Sequence, residues 1–316
     1  KENGLGMVAS PSFRGTNASQ TAVLWNGINI NSRFNGQTDF NTINTGSYDA
    51  INIRGGGGSV IYGTGAIGGT VHLSNNIEFE KQFKNRIYLS YGSFNTYDAR
   101  YQLTAAEKNW STKISFSRNQ SDNDFEYIDT DQKNLNGAFY NNSLNAVFGY
   151  RFNENNTLKF YSEVFESERH FSLIRPSENR TKYEDVSLKN LLEWEVSGEK
   201  ITSIARFAYL KEEYKYFPNI ETESFTFGEA NTVIGKYDFS YQFSKKIKLN
   251  AILSHEYTDG KGSSIPQNER NISSGALLLK HLVNEKWAYE VAARKELTND
   301  YESPLLFSFG TGYSFT

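Results

Sequence analysis

The sequence has 316 residues, 33 Lys and Arg against 36 Asp and Glu, no cysteine, and 15% aromatic side chains. The near-neutral balance lacks the basic excess of a nucleic-acid binder, and the missing cysteines exclude disulfide frameworks, zinc–thiolate sites and thiol nucleophiles. No apolar run approaches the roughly 20 residues of a membrane helix, but a mean hydropathy of −0.60 does not exclude the membrane, because alternating strands cancel in a window average.

Residues 1–80 are glycine-dense, with short apolar runs at Ala22–Trp25, Ala50–Ile53, Val60–Tyr62 and Thr70–Leu73. These runs predict short strands of a compact mixed domain, punctuated by turn residues. Gly63-Thr64-Gly65-Ala66-Ile67-Gly68 matches G-x-G-x-x-G. A dinucleotide site needs a helix directly behind the glycines, to present its N–H groups to the pyrophosphate. Here Gly69, Thr70 and Val71 follow, which predicts strand, so the run reads as a glycine turn between two strands.

From residue 81 to 316 the pattern becomes a long, regular alternation. Leu144, Ala146, Phe148, Tyr150 and Phe152 oppose Asn145, Val147, Gly149 and Arg151; Trp287, Tyr289, Val291 and Ala293 oppose Ala288, Glu290, Ala292 and Arg294. The same period of two runs through residues 97–105, 110–117, 247–254 and 305–315. Such a period means strand, and about twelve strands fit. Short polar turns are predicted near residues 107–109, 153–156, 197–200, 244–246 and 284–286. They alternate with longer polar stretches near 119–136, 169–180, 217–227, 257–270 and 297–303. Short turns at one end and long loops at the other are the pattern of a transmembrane meander. A soluble β sandwich, with an adhesion or binding role, satisfies the alternation too. Against it stand the strand lengths, the aromatics near strand ends (Trp110, Tyr150, Phe152, Trp194, Trp287) and polar groups on both faces.

Chemistry-bearing clusters are few. Histidines 72, 170, 255 and 281 have no metal-helix spacing and no paired nucleophile, and no nucleophile elbow or P-loop occurs, so an enzyme has no support. Asp122, Asp124, Asp129 and Asp131 share one loop with Asn123. They offer an oxygen cage for a structural Ca²⁺, although the spacing and glycine of an EF-hand are missing. A solvated acidic loop accounts for the same residues.

Four blocks in order carry a family resemblance: Ser12 to Ser19 (SFRGTNAS), Val23 to Asn31 (VLWNGININ), Ile53-Arg54-Gly55, and Ser59 to Val71 (SVIYGTGAIGGTV). Together they resemble the plug domain of TonB-dependent outer-membrane receptors. The run from Arg14 to Ser19 looks most like the vitamin B12 receptors. Two positions depart from the family pattern: Asn26 stands where an Asp usually precedes the turn glycine, and Gly56 replaces a proline.

The resemblance implies an all-β membrane fold, with the later part of a small α+β plug (residues 1–80) followed by about twelve of the family's roughly 22 antiparallel strands (residues 81–316). The start of the plug, the TonB-binding segment and about ten strands are then expected outside this sequence. It further implies energy-coupled import across the bacterial outer membrane, with TonB, outer-membrane lipid and a corrinoid or ferric siderophore as partners. A surface lipoprotein is a further candidate partner. Asn31, Ser32, Arg33, Phe34, Asn35 and Gln37 fall where the family places an apical ligand-binding loop. Arg14 and Arg54 are expected to pair with carboxylates on the barrel wall, for which lumen-facing Glu163 or Glu290 are the candidates.

Overall fold

The computed structural model describes residues 4, 6–56, 58–63, 65–175, 178–222 and 224–315. Its first unit is a four-stranded sheet in the order β2–β1–β4–β3, made of β1 (Thr21–Trp25), β2 (Ile28–Asn29), β3 (Ala50–Gly55) and β4 (Gly69–Ser74). β1 runs parallel to β4, in register from Thr21↔Gly69 to Trp25↔Leu73; the other two pairings are antiparallel. Asn26 and Gly27 join β1 to β2 with φ of 46° and 87°. Two left-handed residues make the hairpin turn whose twist matches its strands, and Asn-Gly favours it strongly. The Asn at this position therefore keeps the turn.

Val60–Tyr62, expected as strand, lies in a single helical turn, α1 (Ser59–Tyr62). The N–H groups of Tyr62 and Gly63 donate to the carbonyls of Gly58 and Ser59, and Gly63, at φ 84°, ends the turn. Three consecutive apolar residues have no period that separates strand from helix. The glycine run thus follows a helix and leads into β4, the reverse of the order a dinucleotide site requires.

The second unit is a 12-stranded antiparallel meander in which each strand pairs with its sequence neighbours. Its strands are β5 (Gln82–Gly92), β6 (Thr96–Glu107), β7 (Trp110–Ser121), β8 (Phe139–Asn153), β9 (Asn156–His170) and β10 (Lys182–Ser197). They continue with β11 (Ile201–Phe217), β12 (Thr226–Ser244), β13 (Ile247–Gly262), β14 (Ile265–Leu282), β15 (Trp287–Thr298) and β16 (Leu306–Tyr313). Among the described residues no helix is long and apolar enough to cross a membrane.

Alternation sorts the two faces. In β8, Leu144, Phe148, Tyr150 and Phe152 are exposed on the convex side, while Ser143, Asn145 and Val147 are buried on the concave side. Trp110, Tyr150, Phe152, Trp194 and Trp287 all lie outward next to the short connections, joined there by Phe243 and Tyr313. A one-sided aromatic girdle of this kind marks a membrane–water boundary. Toward the long loops the outward face becomes charged, with Lys182 lying 3.4 Å from Glu168 and 2.8 Å from Glu184. The polar stretch 257–270 belongs to this region: it forms the ends of β13 and β14, joined by a two-residue turn, and not the expected long loop. Those residues are polar because the strands outrun the apolar band.

The plug sheet lies in the concave side. Trp25 and Ile28 form one core with Val147, Tyr161, Leu191, Ala208 and Ile234, which come from five successive barrel strands. Trp25 meets Tyr161 edge-to-face at 6.3 Å. A second core inside the plug joins Val23, Ile43, Val71 and Leu73.

Candidate ligand site

The loop after β2 is held from below by one amide. Asn31 is almost completely buried; its Oδ1 accepts from the Val23 N–H at 2.8 Å, and its Nδ2 donates to the carbonyls of Thr21 (2.9 Å) and Gly36 (2.8 Å). A side chain so engaged is a fastener for the loop. Ser32 and Gly36 close the turn through backbone hydrogen bonds, lifting Arg33, Phe34 and Asn35 toward the barrel wall.

Wall residues receive that loop. Glu212 on β11 accepts from the Ser32 hydroxyl at 2.5 Å and from the Arg33 N–H at 3.0 Å. The Arg33 guanidinium lies 3.2 Å from Glu256 on β13 and donates to the Asn31 carbonyl at 2.8 Å. Phe34 packs edge-to-face on Tyr214 at 5.1 Å, and Tyr214 stacks on Tyr183 at 5.5 Å with 11° between the rings. Gly228 makes room for this pair, since a Cβ there would collide with both Tyr214 and Phe34. Asn35 is exposed and Gln37 half-buried at the loop's edge.

Between loop and wall opens a cavity of about 770 Å³, within the size range of small-molecule sites. Phe34, Phe171, Tyr183, Tyr214 and Tyr216 supply its aromatic surface. Its charges balance: Arg33, Arg169, Lys189 and Lys211 face Asp39, Asp185, Glu212 and Glu213. Arg169 ties the cavity floor together. It is 2% exposed, 2.7 Å from plug residue Asp39 and 2.6 Å from wall residue Asp185, and its guanidinium sits over the Tyr183 ring.

The four residues expected to join plug and barrel are distributed differently from one another. Arg54 reaches Glu290 at 3.6 Å, with the arginine exposed and the carboxylate half-buried. Glu163 is 3% exposed but meets no plug arginine; it pairs with Lys189 at 2.5 Å and accepts from the plug's Tyr48 hydroxyl at 2.7 Å. Burial and the neighbouring Glu163 hold the Tyr48 phenol well above its ordinary pKa, so it stays a donor. Arg14 lies in an exposed left-handed turn at φ 47°, and no ion pair reaches it among the described residues. Its place is taken by the pairs Arg169–Asp39 and Lys113–Asp49, in which the plug provides the carboxylate.

Asp122, Asp124, Asp129 and Asp131 do not converge. Asp122 accepts from Asn95, Asp124 pairs with Lys133 at 3.2 Å, and among the described residues no three acidic or histidine groups come together to hold a metal ion.

Arg169, Glu212 and Tyr214 were not singled out in the sequence, yet one signal pointed to Arg169: it shares the lumen-facing parity of Glu163 on β9. A row of charges of matching parity crosses the wall below the plug. Lys159, Glu193, Arg206 and Lys236 are cross-strand neighbours in register. Glu193 lies 2.9 Å from Lys159 and 2.6 Å from Arg206, and Arg206 also pairs with Asp238. From this row the Lys236 ammonium reaches the plug backbone, donating to the Gly27 carbonyl at 3.1 Å.

Residues 1–70 match the family described as TonB-dependent Receptor Plug Domain. The vitamin B12 transporter BtuB of Vibrio vulnificus (strain YJ016) is 31% identical over 115 residues, which are 36% of this chain and 18% of that protein. Among solved structures, the siderophore receptor PirA from Acinetobacter baumannii aligns with a TM-score of 0.79 at 13% identity, over 96% of this chain and 52% of that one. The ferric enterobactin receptor PfeA from Pseudomonas aeruginosa gives 0.79 at 13%, over 96% and 53%. The copper transporter OprC gives 0.71 at 14%, over 94% and 52%. At these identities the structures speak for the fold, and the chain spans about half of their length.

Proposed function

We propose that this chain, a TonB-dependent outer-membrane receptor built of a plug and a barrel sheet, takes up a large, overall neutral, amide-rich solute of the corrinoid class. The observation that carries the reading is the cavity between apical loop and wall: aromatic faces for a flat ligand, amides at its rim, and charges already paired. A paired site presents no net field, so it favours a neutral body over a multiply charged one. The partial likeness to a vitamin B12 transporter supports the same class. No bond is made or broken. Ligand captured on the outer side would pass inward when TonB pulls the plug against contacts such as Arg169–Asp39 and Tyr48–Glu163.

Cobalamin binding by the intact receptor in detergent micelles tests this. Arg33→Ala, Phe34→Ala and Tyr214→Ala are each expected to weaken it by roughly tenfold, the scale of one aromatic or charge-assisted contact. Absence of any corrinoid affinity at micromolar concentration would overturn the assignment. A ferric siderophore is the second reading, favoured by the arginine and aromatic ring on the apical loop and by the likeness in fold to siderophore receptors; the same receptor assayed with ferric complexes decides between them.

A further inference from the structure

Across the apical loop from the first cavity lies a second, of about 510 Å³, walled by β12 to β15 and by α1 of the plug. Its lining is not balanced. Arg33, Lys236, Arg270 and Arg294 face it, against Glu256 and Glu296. Two guanidiniums therefore share one carboxylate, with Arg33 at 3.2 Å and Arg270 at 3.9 Å from Glu256. Lys236 has Asp238 at 3.6 Å, but that carboxylate is already engaged by Arg206. Arg294 alone is fully matched, by Glu296 at 2.8 Å and the Ser274 hydroxyl at 2.8 Å. Hydroxyls of Ser19, Ser254, Tyr62 and Tyr301 complete a polar surface.

Lys236 also bears on a plug residue outside this lining, although burial has the larger effect there. His72, on β4, is held below its ordinary pKa by burial and then by the charges of Arg54 and Lys236. The cavity is also elongated. Arg270 and Tyr301 stand at its outer end, while Ser274, four residues further along β14, belongs to its deep end together with Lys236; at about 3.4 Å per residue these levels are about 14 Å apart.

We propose that the mouth of this second cavity is an oxyanion site, taking a phosphate- or carboxylate-bearing group through the guanidiniums of Arg270 and Arg33, which share Glu256. The surplus of donors over carboxylates leaves N–H groups whose best partner is an anion. The two cavities share Arg33, whereas Arg270 lines the second and not the first. Its anion is either a free solute or a charged arm of a ligand whose neutral body lies on the other side of Phe34.

Equilibrium dialysis of the intact receptor in micelles against labelled inorganic phosphate tests it, with Arg270→Gln as the deciding variant, because that side chain is well exposed and its loss spares the packing. Saturable phosphate retention, weakened by about tenfold or more in Arg270→Gln and unchanged in Lys261→Gln on the outer face, is the expected result. No saturable retention at millimolar phosphate, or equal retention in both variants, would overturn the site. Repeating the measurement with cobalamin present separates the sources: competition identifies a ligand's own anionic arm and additive binding a free anion, and both support the site. The phosphate-only arm reads out independently of any corrinoid affinity.

Discussion

His72 shows what a single residue of the plug contributes. Its ring packs edge-to-face on Tyr62 at 4.9 Å and Nε2 lies 2.9 Å from the Thr70 hydroxyl, with Arg54 and Lys236 as the nearby charges. Burial and those cations lower its pKa, so the folded plug keeps the ring neutral where an unfolded chain would already have protonated it. As pH falls below about 6.5, the unfolded chain takes the proton first and the plug loses stability; above that value the contribution is fully present. Thermal unfolding of the intact receptor should therefore fall more between pH 7.5 and pH 5.5 than it does in His72→Gln. Parallel curves for the two proteins would remove His72 from the explanation. Arg169 teaches a complementary point. The family resemblance led to arginines on the plug and carboxylates on the wall, whereas here the wall donates the guanidinium to Asp39. Sequence parity placed the side chain in the lumen, but only the folded plug shows which partner it meets.

At the scale of elements, β3 and β4 pair through two opposed glycines whose tolerances differ. A Cβ on Gly69 would lie 2.7 Å from the Arg54 carbonyl and 2.9 Å from the Phe13 ring, whereas one on Gly55 would meet nothing within 4 Å. Backbone cannot yield as a flexible side chain can, so Gly69→Ala is expected to cost roughly 1–3 kcal/mol as an overpacked site. Gly55→Ala should leave stability near that of the parent. Protease resistance of the plug in the two variants of the intact receptor measures the contrast, and equal resistance would contradict it. Legibility followed the same physics. The long strands were readable because a half-buried strand repeats every two residues, and the Asn26–Gly27 hairpin because its φ values demand those residue types. The helical turn at Ser59–Tyr62 was not, since one turn flanked by glycines has no period. The tight β13–β14 hairpin was missed because polar strand ends beyond the lipid look like loop. The apical loop was located by resemblance, but the fastening role of Asn31 and the partners Glu212 and Glu256 needed contacts between residues some 180 to 225 apart in sequence, which no local pattern carries.

For the whole molecule, depth in the membrane sets the cost of change on the outer face. Phe148 lies in the middle of the apolar outward stretch of β8, and Phe152 at its girdle end; both are exposed. Phe148→Arg is expected to destabilise the barrel by about 2–4 kcal/mol and Phe152→Arg by about 0–1 kcal/mol. Urea titrations of the intact receptor in lipid vesicles should resolve the difference, and comparable losses at the two positions would contradict the assigned lipid band.

The charged row on the lumen wall bears on what happens when the plug is not there. Lys159, Glu193, Arg206 and Asp238 find their partners along the wall, and the plug adds only a carbonyl at Gly27. Without the plug, Lys159, Glu193, Arg206 and Asp238 would keep these partners, while Lys236 would lose the Gly27 carbonyl and keep Asp238, which Arg206 already engages. The wall row is thus largely self-supporting, and Lys236 is the charge whose satisfaction rests on where the plug sits.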